Sequence, residues 1–508
     1  MVSFGSQGQV NPVVCLTSMT ISAEAIDRVF SVTATGNTFQ LIAGSDPVSV
    51  DESGFQPLTP TLRQFTAAYL GDVIYINRED MGVRYYATTS QTFAPLPNTD
   101  GTWTCAVLRP YQDFLIALNV TKTDATTGAQ TIYPKMVKWS DVTLDGQVPG
   151  NWDATQTINP STLAGENIMA EMDGPIVDGM SLKSNFIIYG RNEAWAMAFT
   201  GEGTYPFTFE RILGSGGAIG RNCVVEVESL HYVFGTTDIY CHDGITSKSL
   251  AQDRIRNFVY SDMDQSALET FFVTHVGNTK EILFCYRSST SSIAGAYCNR
   301  AVSYNYVEDT WSIIDLPNVT CGYSLHYMGF TIWGTDATTP WTDDPAGTWE
   351  NDAGAYAPLS LFGSCETPSA GPTQDRVLAY DAIINPVLNL SMPSDANYPA
   401  YLERKGITLD IKQAWMDNAP LASCKQLRRV LPLTDMATGD GISISVGGSM
   451  TPALDVSYGA SVLFNPVTQY QFNTRVNGRF LAIRVDASAT TDFNVTGFDL
   501  DLTGWGTR

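Results

Sequence analysis

The chain has 508 residues, enough for roughly three domains, or fewer where an all-β unit of about 200–250 residues counts as one. Hydrophobic residues make up 44% and charged residues 16%, a folded rather than a disordered composition. The formal net charge of −23, from 52 acidic and 29 basic side chains, repels phosphate backbones at long range and argues against a specific reader of nucleic acid. It suits solubility first, since acidic surfaces are common and need no partner, and among DNA contacts it suits only a conduit through which a duplex slides without sticking.

Residues 1–11 show no basic start leading into an apolar core, and no later stretch approaches the roughly 18 uninterrupted apolar residues of a spanning helix. Neither a signal peptide nor a membrane anchor is expected. The nine cysteines lie far apart, several of them in apolar runs such as Cys223-Val-Val225 and Leu283-Phe-Cys-Tyr286. An odd number cannot all pair within one chain, so reduced, buried thiols made in a cytosol are expected rather than a disulfide framework.

Helical periodicity is nearly absent, and short β-branched and aromatic runs recur between Gly, Asn, Asp and Thr clusters, so the fold class is all-β. In chain order the clearest strand runs are residues 68–76, 114–120, 185–189, 194–199, 230–234, 282–286 and 301–306. Three of them share a grammar of apolar strand, polar turn and aromatic-led strand. These are Asn185-Phe-Ile-Ile-Tyr-Gly-Arg-Asn-Glu-Ala-Trp195, Leu230-His-Tyr-Val-Phe-Gly-Thr-Thr-Asp-Ile-Tyr240, and the run from Ser303 to Ile313 with its turn at Glu308-Asp309.

The first two turns lie about 45 residues apart, the usual spacing of four-stranded propeller blades. One such sheet cannot cover both of its faces, so neighbouring blades stack and close into a ring with the core between them. Residues 65–365 have room for roughly six blades. A stack of sandwich domains would give the same alternation and stays open. Residues 336–372, rich in Thr, Asp, Pro and Gly and holding Trp341 and Trp349, read as a long loop or linker. Beyond it, Gly406-Ile-Thr-Leu-Asp-Ile-Lys412, Gly441-Ile-Ser-Ile-Ser-Val446 and Arg479-Phe-Leu-Ala-Ile-Arg-Val485 alternate as half-buried strands. Residues 366–508 are therefore expected to form a β-sandwich-like platform. Residues 1–64, which lack a clear repeat, are a candidate addition to that platform, because chain termini often lie together.

The search for chemistry finds little. The four histidines, His231, His242, His275 and His326, include no pair at metal-ligand spacing, and Cys241-His-Asp-Gly244 sits where a hairpin turn belongs. Gly214-Ser-Gly-Gly-Ala-Ile-Gly220 lacks the Gly-Lys-Ser/Thr ending of a phosphate loop, and Ile219 occupies the place of a dinucleotide fingerprint's third glycine; it reads as a connection between blades. Asp262/Asp264 and Asp499/Asp501 are spaced so that each pair shares one face of a strand, open to a cation or glycosidic chemistry, yet such pairs arise by chance in so acidic a chain. No Gly-x-Ser-x-Gly elbow is present. Lys425-Gln-Leu-Arg428-Arg429 reads as a solvated turn or a protein contact. No catalytic, cofactor-binding or metal residue is assigned, no cofactor is expected, and the chain reads as non-enzymatic.

Val137-Lys-Trp-Ser-Asp-Val-Thr143, followed by Asn151-Trp152, resembles a Trp-Ser-Asp turn with a downstream Trp that recurs in propeller proteins of short-tailed phage tails. The run from Asn185 through Gly190, Gly235 and Asp243-Gly244 to Lys248 is similar to the same family. So is the ending, Gly478-Arg-Phe-Leu-Ala-Ile-Arg-Val485, Gly497-Phe-Asp-Leu-Asp-Leu502 and a terminal Gly-Thr-Arg. These pieces cover about half of the chain. The resemblance implies a tail nozzle, also called a tail tubular or packaged-DNA stabilisation protein, built as a propeller plus platform. It further implies a homo-oligomeric ring of about six copies below the head-to-tail adaptor, carrying fibres or spikes and letting double-stranded DNA pass without sequence preference. Location in the virion tail after assembly in the host cytoplasm follows, with no membrane partner. Carboxylates lining the duplex path would lower adhesion during ejection. The alternatives are a receptor- or glycan-binding propeller of a tail tip, which needs exposed aromatic pockets, and a propeller glycoside hydrolase, which needs converging acids.

Overall fold

In the computed structural model the described residues are 2–3, 11–328 with short breaks (22–25, 42–46, 88, 156–160, 202–205, 213, 215, 253–254, 292 and 294), 356–365, 377–380, 401–407, 424–435, 441–451, 456–486 and 494–504. Among the described residues the fold is all-β, 58% strand and 4% helix, the helical part being Arg256–Asp262 and the short 3-10 segment Gln265–Thr270. Contacts divide the chain into residues 1–391 and 392–508. All nine cysteines are free thiols, seven of them buried.

The first unit contains six antiparallel sheets in chain order among the described residues. Five are four-stranded, spanning residues 13–49, 66–95, 102–168, 178–212 and 224–249. The sixth runs through Phe272–Val276, Glu281–Tyr286, Cys298–Asn305 and Thr310–Met328, and is extended by Tyr356–Ser364, Val377–Tyr380 and Val2–Ser3. The first strands of consecutive sheets are neighbours all the way from Val13–Ile21 to Phe272–Val276. Val13–Ile21 also packs against Thr310–Met328, where the Thr320 hydroxyl donates to the Val13 carbonyl.

An apolar cluster fills each junction. Phe30 and Val32 meet Ile74 and Tyr86 between the first two sheets, and Tyr75 meets Trp103 and Leu115 at the next. Val107 and Trp139 face Phe186 and Trp195, Tyr189 faces Val224 and Tyr240, and Phe234 faces Phe271 and Phe284. The sixth junction joins Val13, Leu16 and Val29 to Cys321, Leu325 and Leu361, so that the first sheet touches both the second and the last.

Antiparallel order gives the sheets two distinct ends. Turns joining first to second and third to fourth strands share one end, where Gly146 N–H donates to Gly71 C=O (2.6 Å) and the Tyr111 hydroxyl to Ser184 C=O (2.6 Å). Second-to-third turns and the links between sheets share the other, where Arg221 pairs with Glu79.

Three expectations are corrected. Residues 68–76 are a hairpin rather than one strand: Gly71 and Asp72, with φ of 56° and 58°, turn the chain between Thr66–Leu70 and Val73–Arg78. Residues 13–49 form a sheet of the first unit instead of joining the C-terminal platform, because the apolar face of Val13–Ile21 is covered there by the second sheet and by Leu361. The segment 336–372 contains the strand Tyr356–Ser364, paired with Thr310–Met328; Trp341 and Trp349 lie outside the described residues.

The second unit holds two antiparallel sheets over one core. One comprises Tyr401–Ile407, Phe480–Asp486, Ile442–Ser449 and Val462–Phe464, and the other Phe472–Gly478, Lys425–Asp435 and Asn494–Gly504. Alternate residues Ile442, Ile444 and Val446 meet Leu427 and Val430 across the layer, the period-two pattern of half-buried strands. Residues 408–412 and 506–508 lie outside the described residues.

Trp152 is fully buried against Trp103, ring centroids 4.9 Å apart, at the junction of the second and third sheets. Trp152→Ala is expected to cost about 3–5 kcal/mol, read as a lower urea midpoint of the unfolding transition; an unchanged midpoint would show that this junction does not support the unit.

Candidate functional site

The first strands converge on a polar centre. Arg109 grips the Asp178 carboxylate with two nitrogens (3.1 and 3.0 Å) and also donates to Asn222 Oδ1 (2.7 Å). Asp178 accepts the Asn222 backbone N–H as well (2.7 Å). Asn222 Nδ2 donates to Gln64 Oε1 (2.9 Å) and Phe65 C=O (3.0 Å), and Gln64 Nε2 donates to Phe271 C=O (3.0 Å). Asn222 holds φ of 55°, a left-handed position that Asn tolerates better than most residues. These bonds tie the second to sixth sheets together and leave no reactive group unengaged.

His231 and His242, which sequence treated as unrelated, are brought together by Tyr189. The Tyr189 oxygen lies 2.7 Å from His231 Nδ1 and 2.5 Å from His242 Nε2. Gly244 N–H donates to His242 Nδ1 (3.1 Å), so the proton of that ring sits on Nε2 and points at Tyr189. Tyr189 then donates to His231 Nδ1, and His231 Nε2–H donates to Ser181 C=O (2.9 Å). Each ring nitrogen has one partner, with both rings neutral. His275 is half-buried beside Tyr306, 3.3 Å away, and the side chain of His326 lies outside the described residues.

The remaining candidates are held in structural bonds. Asp243 closes the turn after His242 by accepting N–H bonds from Ile245 and Thr246. The 214–220 stretch links the fourth sheet to the fifth; a Cβ on Gly217 would stand 2.2 Å from the Gly190 carbonyl oxygen. Asp262 and Asp264 do not share a strand face: Asp262 ends the helix Arg256–Asp262, and Asp264 caps the next segment by accepting Ser266 N–H. Burial pushes the Asp262 carboxyl up, but hydroxyls of Thr290 and Ser288 and the Arg300 guanidinium outweigh it and hold the carboxyl below its ordinary range. Asp499 and Asp501 do share a strand, and Asp501 pairs with Arg429 at 2.7 Å. Lys425 and Arg429 lie in the strand Lys425–Asp435 rather than in a solvated turn, with Lys425 buried and donating to Arg479 C=O. Among the described residues no group of three or more His, Cys, Asp or Glu is placed to hold a metal ion.

The Trp-Ser-Asp segment is equally engaged. Lys138 is fully buried, its ammonium bonded to Asp100 (2.8 Å), Trp152 C=O (2.9 Å) and Glu166 (3.2 Å). Trp139 Nε1 donates to Leu163 C=O, and the Ser140 hydroxyl accepts Leu115 N–H.

A half-open depression of 460 Å³ lies at the end of the sheets that carries the links. Its polar lining is Arg191, Thr236, Thr237, Arg256, Asn257 and Gln265. Ile219, Met263, Leu268 and the Tyr260 ring form its apolar part. Nothing in the sequence joins these residues into one site, because turns and links distant in sequence supply them.

No protein-family model matches the chain, and no curated protein matches it. No described helix is long and apolar enough to cross a membrane.

The two buried rings carry a pH signature. Burial lowers His231 to about 3 and His242 to about 4, against 6.5 for a free ring. The unfolded chain therefore takes up protons that the fold refuses, so the rings' contribution to stability is full above pH 6.5 and lost as pH falls toward 4 and then 3. Urea midpoints of the parent are expected to fall from pH 7 to pH 4 more steeply than those of His231→Gln/His242→Gln. Equal slopes would contradict the assignment of neutral rings.

Proposed function

We propose that the chain is a structural, non-catalytic component of a short phage tail. In this reading it is a nozzle in which several copies ring the DNA channel and connect the adaptor to fibres or spikes. Residues 13–380 then form a six-bladed β-propeller, and the 392–508 unit a β-sandwich-like platform. The observation that carries the architectural part is the closing junction between residues 13–41 and 321–361. Independent sandwiches would each enclose a core of their own and would not need a junction between the first and last sheets.

The tail assignment rests on the Trp-Ser-Asp and C-terminal segments and on the net charge of −23. Since Arg109, Asp178, Asn222 and Gln64 occupy the centre of the six sheets, the duplex path in this reading lies among copies rather than through one propeller. Carboxylates facing that path would keep DNA from adhering during ejection.

Mass spectrometry of density-purified particles from the source, with the major capsid protein as reference, tests the assignment. Roughly six to twelve copies per particle are expected of a ring-forming tail component. Absence from particles would remove the tail reading and turn attention to glycan binding and hydrolysis.

A further inference from the structure

We propose that the depression between Arg191 and Arg256 is a socket for the acidic, apolar-tipped loop 141–147 of a second copy of this chain. The inference rests on the ring-forming reading above and names the contact that would build the ring.

The socket departs from the chain's charge balance. The ten described lining residues include two arginines and no Asp or Glu, in a chain with 52 acidic and 29 basic side chains. Arg191 is exposed and Arg256 half-buried, and neither forms an ion pair among the described residues. Asp238, which follows Thr237, has a buried Oδ1 with no hydrogen-bond partner among the described residues, and it stands near enough to the Tyr260 phenol to raise it, second to burial. Two guanidinium groups with no ion pair among the described residues, beside Ile219, Met263 and Leu268, suit a partner with both carboxylate and aliphatic parts. A small ligand normally has most of its surface enclosed; a half-open depression suits a protruding protein loop better.

The chain itself carries such a loop. Leu144 is 63% exposed and Val142 40%, flanked by the exposed Asp145 and the half-buried Asp141. Their backbone is fixed: Thr143 N–H donates to Asp113 C=O (2.8 Å), Gly146 N–H to Gly71 C=O (2.6 Å), and Asp141 N–H to Asn151 C=O (2.9 Å). A pinned loop loses little conformational freedom on docking, which lowers the cost of exposing leucine and valine for a contact.

The loop follows the third strand of its sheet and shares an end with the turns at Gly71 and Asp113. The socket is built from the second-to-third turns at Arg191 and Thr236 and from the links around Ile219 and Arg256, so it lies at the opposite end. Socket and loop are different surfaces at opposite ends of the sheets. They make a head-to-tail contact, the kind that propagates into a closed ring when the rotation permits.

Sedimentation velocity of the purified full chain over a wide concentration range tests this. The parent chain is expected to self-associate, and Arg191→Glu/Arg256→Glu to weaken association by at least about tenfold in Kd. Asp145→Arg is expected to weaken it similarly, and all three substitutions in one chain to restore it, which a merely misfolded variant would not do. A parent that stays monomeric throughout, or a double variant that assembles like the parent, would overturn the socket. Association that depends on the arginines but not on Asp145 or Leu144 would overturn the loop as occupant. If particles contain the chain in ring-like numbers while the purified chain stays monomeric, the socket fails and the tail reading stands.

Discussion

A four-stranded sheet whose two faces are both apolar cannot exist alone in water, and the first unit is organised around that constraint. In Val73–Arg78 every residue is buried, yet the residues divide by parity: Ile74 and Ile76 face the first sheet, while Val73 and Tyr75 face the third. The same split recurs downstream. Ile116 and Leu118 pack toward the fourth sheet and Leu115 and Ala117 toward the second. Phe186 and Ile188 turn one way and Ile187 and Tyr189 the other. Each sheet thus needs a neighbour on both sides, and a linear stack would leave the outer faces of the first and sixth sheets wet. Packing Val13 and Leu16 against Leu325 and Leu361 removes both exposed ends at once.

The first strands of the sheets lie side by side, and there side chains from several sheets meet. Buried polar groups at such a point destabilise the fold unless every one finds a partner. The Arg109–Asp178–Asn222–Gln64 chain meets that condition by using side chains both as donors and as acceptors, and by borrowing the Phe65 and Phe271 carbonyls. The histidine–tyrosine chain solves the same problem at the junction of the fourth and fifth sheets, with the tautomers set by Gly244 and Ser181. In both places titratable residues that would attract a catalytic interpretation are consumed by the requirement of satisfaction.

The strand grammar was legible because it is local. The hairpins at residues 185–199, 230–242 and 301–313 declare themselves through apolar runs broken by two or three polar residues, and the structure pairs the flanking strands antiparallel. The hairpin at Gly71-Asp72 was hidden because its turn is only two residues long and both flanks are apolar, so residues 68–76 look continuous. The first sheet was hidden for a different reason: Val13–Ile21 and Ile26–Thr33 lack the aromatic-led turn of the later copies, and their partners, Phe65 and Leu361, are distant in sequence. The Arg191 depression was not legible at all, since it joins two turns and two links, one of them carrying the helix Arg256–Asp262 and the segment Gln265–Thr270, whose proximity exists only after the sheets have stacked.

That division between local and assembled features bears on where function can reside. The quoted motifs, from Trp139-Ser140-Asp141 to Asp262/Asp264, are short and conspicuous, and each is occupied in holding a turn, a cap or a buried lysine. Strands in such a fold have both faces committed to neighbouring sheets, so their side chains are largely unavailable to a ligand. What remains variable without disturbing the stack is the set of turns at the two ends, and these differ in character. One end presents Leu144 and Asp145 on a pinned loop; the other presents Arg191 and Arg256 above an apolar floor. A rigid stack with unlike ends is suited to handing a contact from one copy to the next, because the positions of the two ends are fixed relative to each other by the same six junctions that keep the core dry.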